Sequence, residues 1–141
     1  IRDYIGLVDK KERVLGLVSL TAERSIALGT ARGVVKRVAT GQYPARPDFP
    51  VITLKKGDQV VGVAQGVDED ELVFVTSATQ LLRFTASAVR PQGPAGGGVA
   101  GINLPDDASV IFFGAVPAGH EAVVATVSSS SSTIAGTDPG R

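Results

Sequence analysis

The chain has 141 residues, of which 43% are hydrophobic and 20% are charged. This length suits one domain or a piece of one, and the hydrophobic fraction excludes a mostly disordered chain. The absence of cysteine excludes a disulfide scaffold, a thiolate metal site and a cysteine nucleophile. No apolar run approaches the length of a membrane-spanning helix, and the N-terminus has neither a signal-peptide pattern nor an initial Met. We therefore expect a piece of a longer protein, with no membrane partner.

Charge is distributed unevenly along a chain whose net charge is zero. Residues 1–56 contain 11 Lys and Arg against 5 Asp and Glu, a net charge of +6. Residues 57–141 contain 3 Lys and Arg against 9 Asp and Glu, a net charge of −6. The basic half predicts an anionic partner, although a pI near 6.8 lies far below the value of about 9 typical of DNA-binding domains. The alternative is that the solvated surfaces of the two halves differ by chance.

Apolar residues recur with the period of a β-strand through nearly the whole chain. Eight short segments are rich in Val and Ile and are bounded by Gly, Asp, Pro or Ser, which is typical of strands. They are residues 14–20, 25–29, 33–38, 60–64, 71–76, 80–84, 109–113 and 122–127. No window has the periodicity of a long amphipathic helix. The sequence predicts an all-β fold.

The strand segments also repeat along the chain. The matching segments, with offsets of 46, 47 and 50 residues, are 12–17 with 58–63, 30–37 with 77–84, and 54–60 with 104–110. A period of this length with about four strands per unit predicts propeller-like blades, each covered by its neighbours. The predicted units are the tail of a preceding repeat at 1–11, full repeats at 12–57 and 58–108, and an incomplete third repeat at 109–141. These are too few blades to close a ring.

Three sequence elements carry a resemblance to a known family. Residues 27–37 (ALGTARGVVKR) look like a "(T)xxGxxKR" hairpin, residues 54–62 (LKKGDQVVG) are similar to an "LKxGDxVV" element, and residues 89–102 occupy the place of a "GGxGVxGI" loop. These elements resemble those of the C-terminal domain of the A subunit of bacterial type IIA topoisomerases, which are DNA gyrase and topoisomerase IV. The chain resembles this domain over residues 7–114.

The resemblance implies a β-pinwheel, a propeller-like arrangement of about three four-stranded blades here, with strands exchanged between neighbouring repeats. It implies an outer rim that binds and bends double-stranded DNA. The expected partners are DNA, the ATPase B subunit and the catalytic remainder of the A subunit, in the bacterial cytoplasm at the nucleoid. This piece would have no catalytic residue, metal, cofactor or small-molecule substrate of its own, whereas the parent enzyme would use ATP and Mg.

The sequence departs from the gyrase pattern at the basic box, a QRRGGKG-type motif needed for wrapping DNA. Its nearest match, from Gly93 to Gly101, contains no Lys or Arg, and the corresponding residues 42–50 of the first repeat have lost the glycines. The resemblance therefore favours the topoisomerase IV type over the gyrase type. The three glycines at 96–98 are expected to serve chain geometry, because no phosphate-loop Lys or helix follows them.

The predicted DNA-binding residues are cations of the first repeat, which could contact phosphates without reading sequence. They are Arg32, Lys36, Arg37, Arg46, Lys55 and Lys56, with Lys10, Lys11, Arg13 and Arg24 as weaker candidates. Strand alternation places Lys36 and Arg37 on opposite faces of one strand. The competing interpretation of Lys36 is that it protects an exposed edge strand from pairing.

The second repeat contains fewer candidate DNA-binding residues than the first. Arg83 and Arg90 are expected to form local salt bridges or to be solvated, and the acidic run at 68–71 is expected to be a solvated hairpin tip rather than a metal site. No catalytic constellation surrounds His120, the serines at 128–132 or the tyrosines, which are Tyr4 and Tyr43. The alternative to DNA binding is a propeller-type scaffold for protein interaction, favoured by the zero net charge and the uncharged box.

Overall fold

The computed structural model describes residues 6, 12–20, 23–46 and 48–127. The strands are β1 (Ser25–Thr30), β2 (Val34–Val38), β3 (Val60–Gly66), β4 (Glu71–Thr76), β5 (Leu81–Thr85), β6 (Val99–Ala100) and β7 (Val110–Val116). A 3₁₀ turn at Ala86–Ala88 follows β5. Within the described ranges no helix is long and apolar enough to cross a membrane. The all-β prediction is confirmed.

The strands form two antiparallel sheets. The first sheet has the order β3-β1-β2-β6, and the second has the order β5-β4-β7. In each sheet a hairpin (β1–β2 or β4–β5) receives its outer strand (β3 or β7) from the following repeat of the sequence. The short strand β6 also comes from the second repeat and pairs with β2. Strands are therefore exchanged between repeats, as the resemblance implied.

The ladders fix which residues of the two repeats are equivalent. Gly29 pairs with Val35 in the first hairpin, and Val75 pairs with Leu81 in the second, so the hairpins are related by an offset of 46. The sequence comparison used an offset of 47 for these strands and was wrong by one residue. In the observed register Lys36 is matched by Leu82, and Arg37 is matched by Arg83.

The main core lies between the two sheets. Phe74 and Phe113 are buried, with ring centroids 4.9 Å apart, and each buried ring stabilises the fold by about 2–3 kcal/mol. The β7 backbone and the Phe113 ring lie directly against Gly29 and Gly62, where any side chain would overlap them. Glycine at these two positions lets the sheets approach closely.

Two predicted strands are absent. Residues 14–20 and 122–127 are irregular and largely exposed, whereas the other six segments are confirmed as β1 to β5 and β7. Residues 14–20 match β3 in sequence, and β3 is held by the hairpin of the preceding repeat. The part of the chain that the structure describes contains no such hairpin for residues 14–20, so alternation alone does not make them a strand.

Candidate nucleic-acid interface

Two neighbouring turns carry three of the predicted DNA-binding residues. Arg32 lies in the turn between β1 and β2, and Lys55 and Lys56 lie in the turn before β3. The Asp58 carboxylate joins the turns, since its Oδ1 accepts the N–H groups of Arg32 (3.0 Å) and Gln59 (2.8 Å). Sequence analysis did not single out Asp58, although a Gly-Asp pair after a basic run is a recognisable turn signal.

The two turns that carry these cations lie together on the outside of the molecule. The Arg32 guanidinium extends over the second turn, because a Cβ added to Gly57 would lie 3.1 Å from its Nη2. Arg32, Lys55 and Lys56 are all exposed, and we call these three residues the basic patch. Cations that are mobile and open to solvent are suited to phosphate contacts.

Arg46 is exposed in a separate loop. This loop, with Tyr43 and Phe49, faces Pro94 and Ala95 across a cavity of about 470 Å³. Burial raises the pKa of Tyr43, and its hydroxyl is buried with no hydrogen-bond partner among the described residues. Arg46 can therefore extend the cationic surface, whereas the Tyr43 hydroxyl faces inward.

Lys36 does not lie on this surface. It is 1% exposed, and its Nζ donates to the carbonyl oxygens of Val51 (2.7 Å), Pro94 (2.5 Å) and Gly96 (2.7 Å). Burial lowers the pKa of this ammonium group. The prediction that Lys36 contacts phosphate disagrees with this position, because all three donors are used inside the protein. The edge-strand interpretation fails too, since β2 lies between β1 and β6.

Arg37 is buried on the opposite face of β2, at 2% exposure. Its Nη1 donates to the carbonyls of Ala86 (2.7 Å) and Val89 (3.1 Å), and its Nη2 donates to Ser25 Oγ and forms an ion pair with Asp68. Strand alternation separates Lys36 from Arg37 as expected. Arg37 holds the 3₁₀ turn of the second repeat against the first sheet, so it too is removed from the proposed DNA surface.

The acidic run at 68–71 lies at the turn between β3 and β4, as expected, and Asp68 and Glu69 are exposed there, but Asp70 is not solvated. Asp70 is buried, and its carboxylate accepts the N–H groups of Val67 (2.9 Å) and Ala118 (3.0 Å). The bond from Val67, together with that from Ala118, outweighs burial and lowers the pKa of Asp70. This residue joins the β3–β4 turn to the end of β7.

The remaining candidates are spread over the molecule. Arg13, Arg24 and Arg90 are exposed, and Arg83 forms an ion pair with Glu71, as a local salt bridge was expected to do. Lys10, Lys11, Tyr4 and the serines at 128–132 lie outside the described residues. Across the described ranges no group of three or more His, Asp or Glu could hold a metal ion.

The second repeat has the same turn with acidic residues and no basic ones. The bond from Ala108 N to Pro105 O (3.0 Å) reproduces the bond from Asp58 N to Lys55 O at an offset of 50. In this register Pro105, Asp106 and Ala78 stand where the basic patch has Lys55, Lys56 and Arg32. Among the described residues, this pair of joined turns with three cations is therefore found in the first repeat and is not reproduced in the second.

The loop at residues 93–98, here called the glycine loop, packs against β2. A Cβ added to Gly98 would lie 2.6 Å from Val35 O, and Gln92 Oε1 accepts the Gly98 N–H at 3.0 Å. The geometric role expected of these glycines fits this close approach.

Comparison with known families gives the context of this surface. The sequence profile of the DNA gyrase C-terminal domain, beta-propeller, matches residues 24–65 and 70–117. The chain belongs to this family. It is 30% identical over 102 residues to the A subunit of DNA gyrase from Salmonella typhimurium, covering 71% of this chain and 12% of that protein. It is 35% identical over 129 residues to the A subunit of DNA gyrase from Deinococcus deserti, covering 86% of this chain and 16% of that protein.

Solved structures of two family members have the same fold. The C-terminal domain of DNA topoisomerase IV superposes with a TM-score of 0.70 at 26% identity, covering 77% of this chain and 36% of that one. A DNA gyrase A C-terminal domain superposes with a TM-score of 0.69 at 19% identity, covering 82% and 40%. The predicted family and propeller-like pinwheel fold are confirmed. The chain spans a small part of its full-length relatives, which belong to a topoisomerase.

Proposed function

We propose that this chain is a non-catalytic, double-stranded DNA-binding part of the A subunit of a type IIA topoisomerase. The observation that carries the proposal is the convergence of Arg32, Lys55 and Lys56 on two joined turns of a gyrase-family domain. In this proposal DNA cleavage, ATP and Mg belong to the B subunit and to the remainder of the A subunit. The chain would act in the bacterial cytoplasm, at the nucleoid.

The basic patch is suited to binding DNA through its backbone. Each cation that neutralises a phosphate releases condensed counterions, so affinity falls with salt at a slope of about −0.9 per contact. The patch with Arg46 would make about four such contacts, independent of base sequence. Asp106 and Asp107 of the second repeat would repel phosphate, so the duplex would be held on the first repeat and bend away from the second.

The uncharged glycine loop favours a topoisomerase IV-like role over gyrase-type wrapping. Residues 93–98 contain no cation, so this loop adds no phosphate contact of its own. DNA would be held here by the basic patch and Arg46, as a local contact rather than a full wrap.

A protein-interaction scaffold is the second candidate. It is favoured by an apolar surface on the second sheet, where Leu81, Ile111 and Phe112 are each more than half exposed and line a cavity of about 590 Å³. This surface is distinct from the basic patch, so separate substitutions can test the two functions.

Fluorescence anisotropy with a short DNA duplex over a salt series tests the DNA-binding proposal. The triple variant R32Q/K55Q/K56Q should bind more weakly and lose about 2–3 units of salt slope, because it lacks three phosphate contacts. The control Q80E/S87E/A88E, at exposed positions of the second repeat, has the same change in net charge, removes no cation and should keep the slope. Equal losses in both variants would mean that only net charge matters, and an unbound wild-type chain at low salt would favour the scaffold.

A further inference from the structure

The geometry around the buried ammonium group of Lys36 points to a positioning role: we infer that Lys36 sets the shape of the DNA-binding surface without touching DNA. The inference rests on the proposed function, which it deepens. Lys36 belongs to the "KR" pair whose sequence suggested a phosphate contact, and its three donors instead bind the backbone of two loops.

The two loops meet at the ammonium group of Lys36. Pro94 O and Gly96 O belong to the glycine loop, and Val51 O belongs to the segment that leads to β3. The same loops are joined by Thr53, whose N–H donates to Gly96 O (3.2 Å) and whose Oγ1 donates to Ala95 O (2.7 Å). We call these bonds of Lys36 and Thr53 the loop junction.

The loop junction lies between the two groups of exposed cations along the chain. Val51 follows Arg46 by five residues and precedes Lys55 by four. The ammonium group therefore fixes the chain midway between Arg46 and the basic patch. If this point moves, the spacing of the cations changes, and that spacing must match successive phosphates for several contacts to form at once.

A hydrophobic side chain cannot replace this arrangement. Methionine at position 36 would fill similar space but leave three carbonyl oxygens without this donor, and buried carbonyls recover hydrogen bonds by moving toward water. The loops would then separate at the junction. The second repeat has Leu82 at this position and no cations on the matching turn, so the buried lysine and the basic patch occur together in one repeat.

The variant Lys36→Met tests the inference through two readouts. In DNA binding, affinity should fall about fivefold while the salt slope stays unchanged, because no phosphate contact is removed. In hydrogen exchange without DNA, the amides of Thr53 and Gly98 should exchange faster, because the loop junction opens. Leu72→Ala is the control: this buried residue lies in β4 of the second sheet, so it should lower stability without changing either readout.

The results of these two measurements distinguish failure of the inference about Lys36 from failure of the proposed function. A salt slope reduced by about one unit would show that Lys36 itself contacts phosphate and would overturn the inference. Unchanged affinity with unchanged exchange would overturn it as well. If the wild-type chain does not bind DNA, the proposed function fails, and the exchange readout alone still decides whether Lys36 holds the loops.

A second variant covers the case in which Lys36→Met does not fold. Thr53→Val removes the Oγ1 donor from the same junction at an exposed position and keeps every cation. It should lower DNA affinity about twofold with an unchanged salt slope. Wild-type affinity in this variant, together with wild-type exchange at Gly98, would contradict the inference.

Discussion

The Asp58 carboxylate accepts the backbone N–H of Arg32 at 3.0 Å, and this bond joins the two turns that carry the basic patch. Asp58 adds a negative charge next to three cations, which on electrostatic grounds alone should weaken phosphate binding. The bond to Arg32 should therefore favour DNA binding, whereas the negative charge of Asp58 should weaken it. Substitutions of Asp58 can separate these two effects.

Substitution of Asp58 should distinguish these two effects. Asp58→Ala removes the acceptor, so we expect stability to fall by about 1–2 kcal/mol and DNA affinity to fall severalfold as the turns separate. Asp58→Asn keeps an oxygen acceptor and removes the charge, so affinity should equal or exceed that of the wild type. Urea unfolding and anisotropy measure both quantities. Tighter DNA binding by Asp58→Ala would show that DNA binding does not need the Asp58 bond between the two turns.

A graft should create a second basic patch. The triple variant A78R/P105K/D106K places the three cations on the equivalent turn of the second repeat, so DNA affinity should rise and the salt slope should steepen by about 2–3 units. A control with the same added charge at exposed positions away from the turn is E69K/S87K/A88K. The prediction fails if the graft and the control have equal slopes.

Asp70 should make stability depend on pH in the acidic range. Its folded-state pKa lies below 3.8, so the ionised carboxylate stabilises the fold above that pH, and this stabilisation is lost as the pH falls through the folded-state pKa. Asp70→Asn should cost about 1–3 kcal/mol at pH 6, with a smaller difference from the wild type at pH 2–3. Urea unfolding at both values measures it; a difference independent of pH would contradict a carboxylate origin.

Thr79 has a positive φ of 61°, which is unfavourable for a β-branched residue. The equivalent residue in the first hairpin is Gly33, with φ of 79°. Thr79→Gly should therefore stabilise the chain by about 0.5–1 kcal/mol, measured by thermal unfolding. The reciprocal Gly33→Ala should destabilise it, since the added Cβ would lie 2.6 Å from Ile102 O. A loss of stability in Thr79→Gly would mean that the Thr79 hydroxyl matters more than its backbone.

The close approach of the sheets at Gly29 should tolerate no side chain. Gly29→Ala would place a methyl group within the Phe113 ring, so we expect a loss of about 2–3 kcal/mol. Gly93→Ala is the control, because nothing lies within 4 Å of its added Cβ. Chemical unfolding of both variants checks this, and equal stabilities would show that the sheets can separate without cost.

The sequence was sufficient for six of the seven strands, the family and the approximate repeat, because Val- and Ile-rich alternation and turn residues are local signals, but it also predicted two strands that are absent and missed the short strand β6. It was insufficient for the role of Lys36, whose acceptors Pro94 and Gly96 lie 58 and 60 residues further along the chain. Strand exchange places the glycine loop against β2, and no local sequence pattern predicts this contact. The shift of one residue in the repeat alignment has a different cause: similar residues match at either offset, and the ladders of the two hairpins show that Leu82 matches Lys36.

DNA should bind through the basic patch of the first repeat. Backbone NMR of this 14.4 kDa chain during titration with a short duplex tests it directly. We expect the largest shift changes at residues 31–33 and 55–57, with little change at residues 77–79 and 105–107. Changes centred on the second repeat, or on the apolar surface around Ile111 and Phe112, would show that the duplex does not bind at the basic patch.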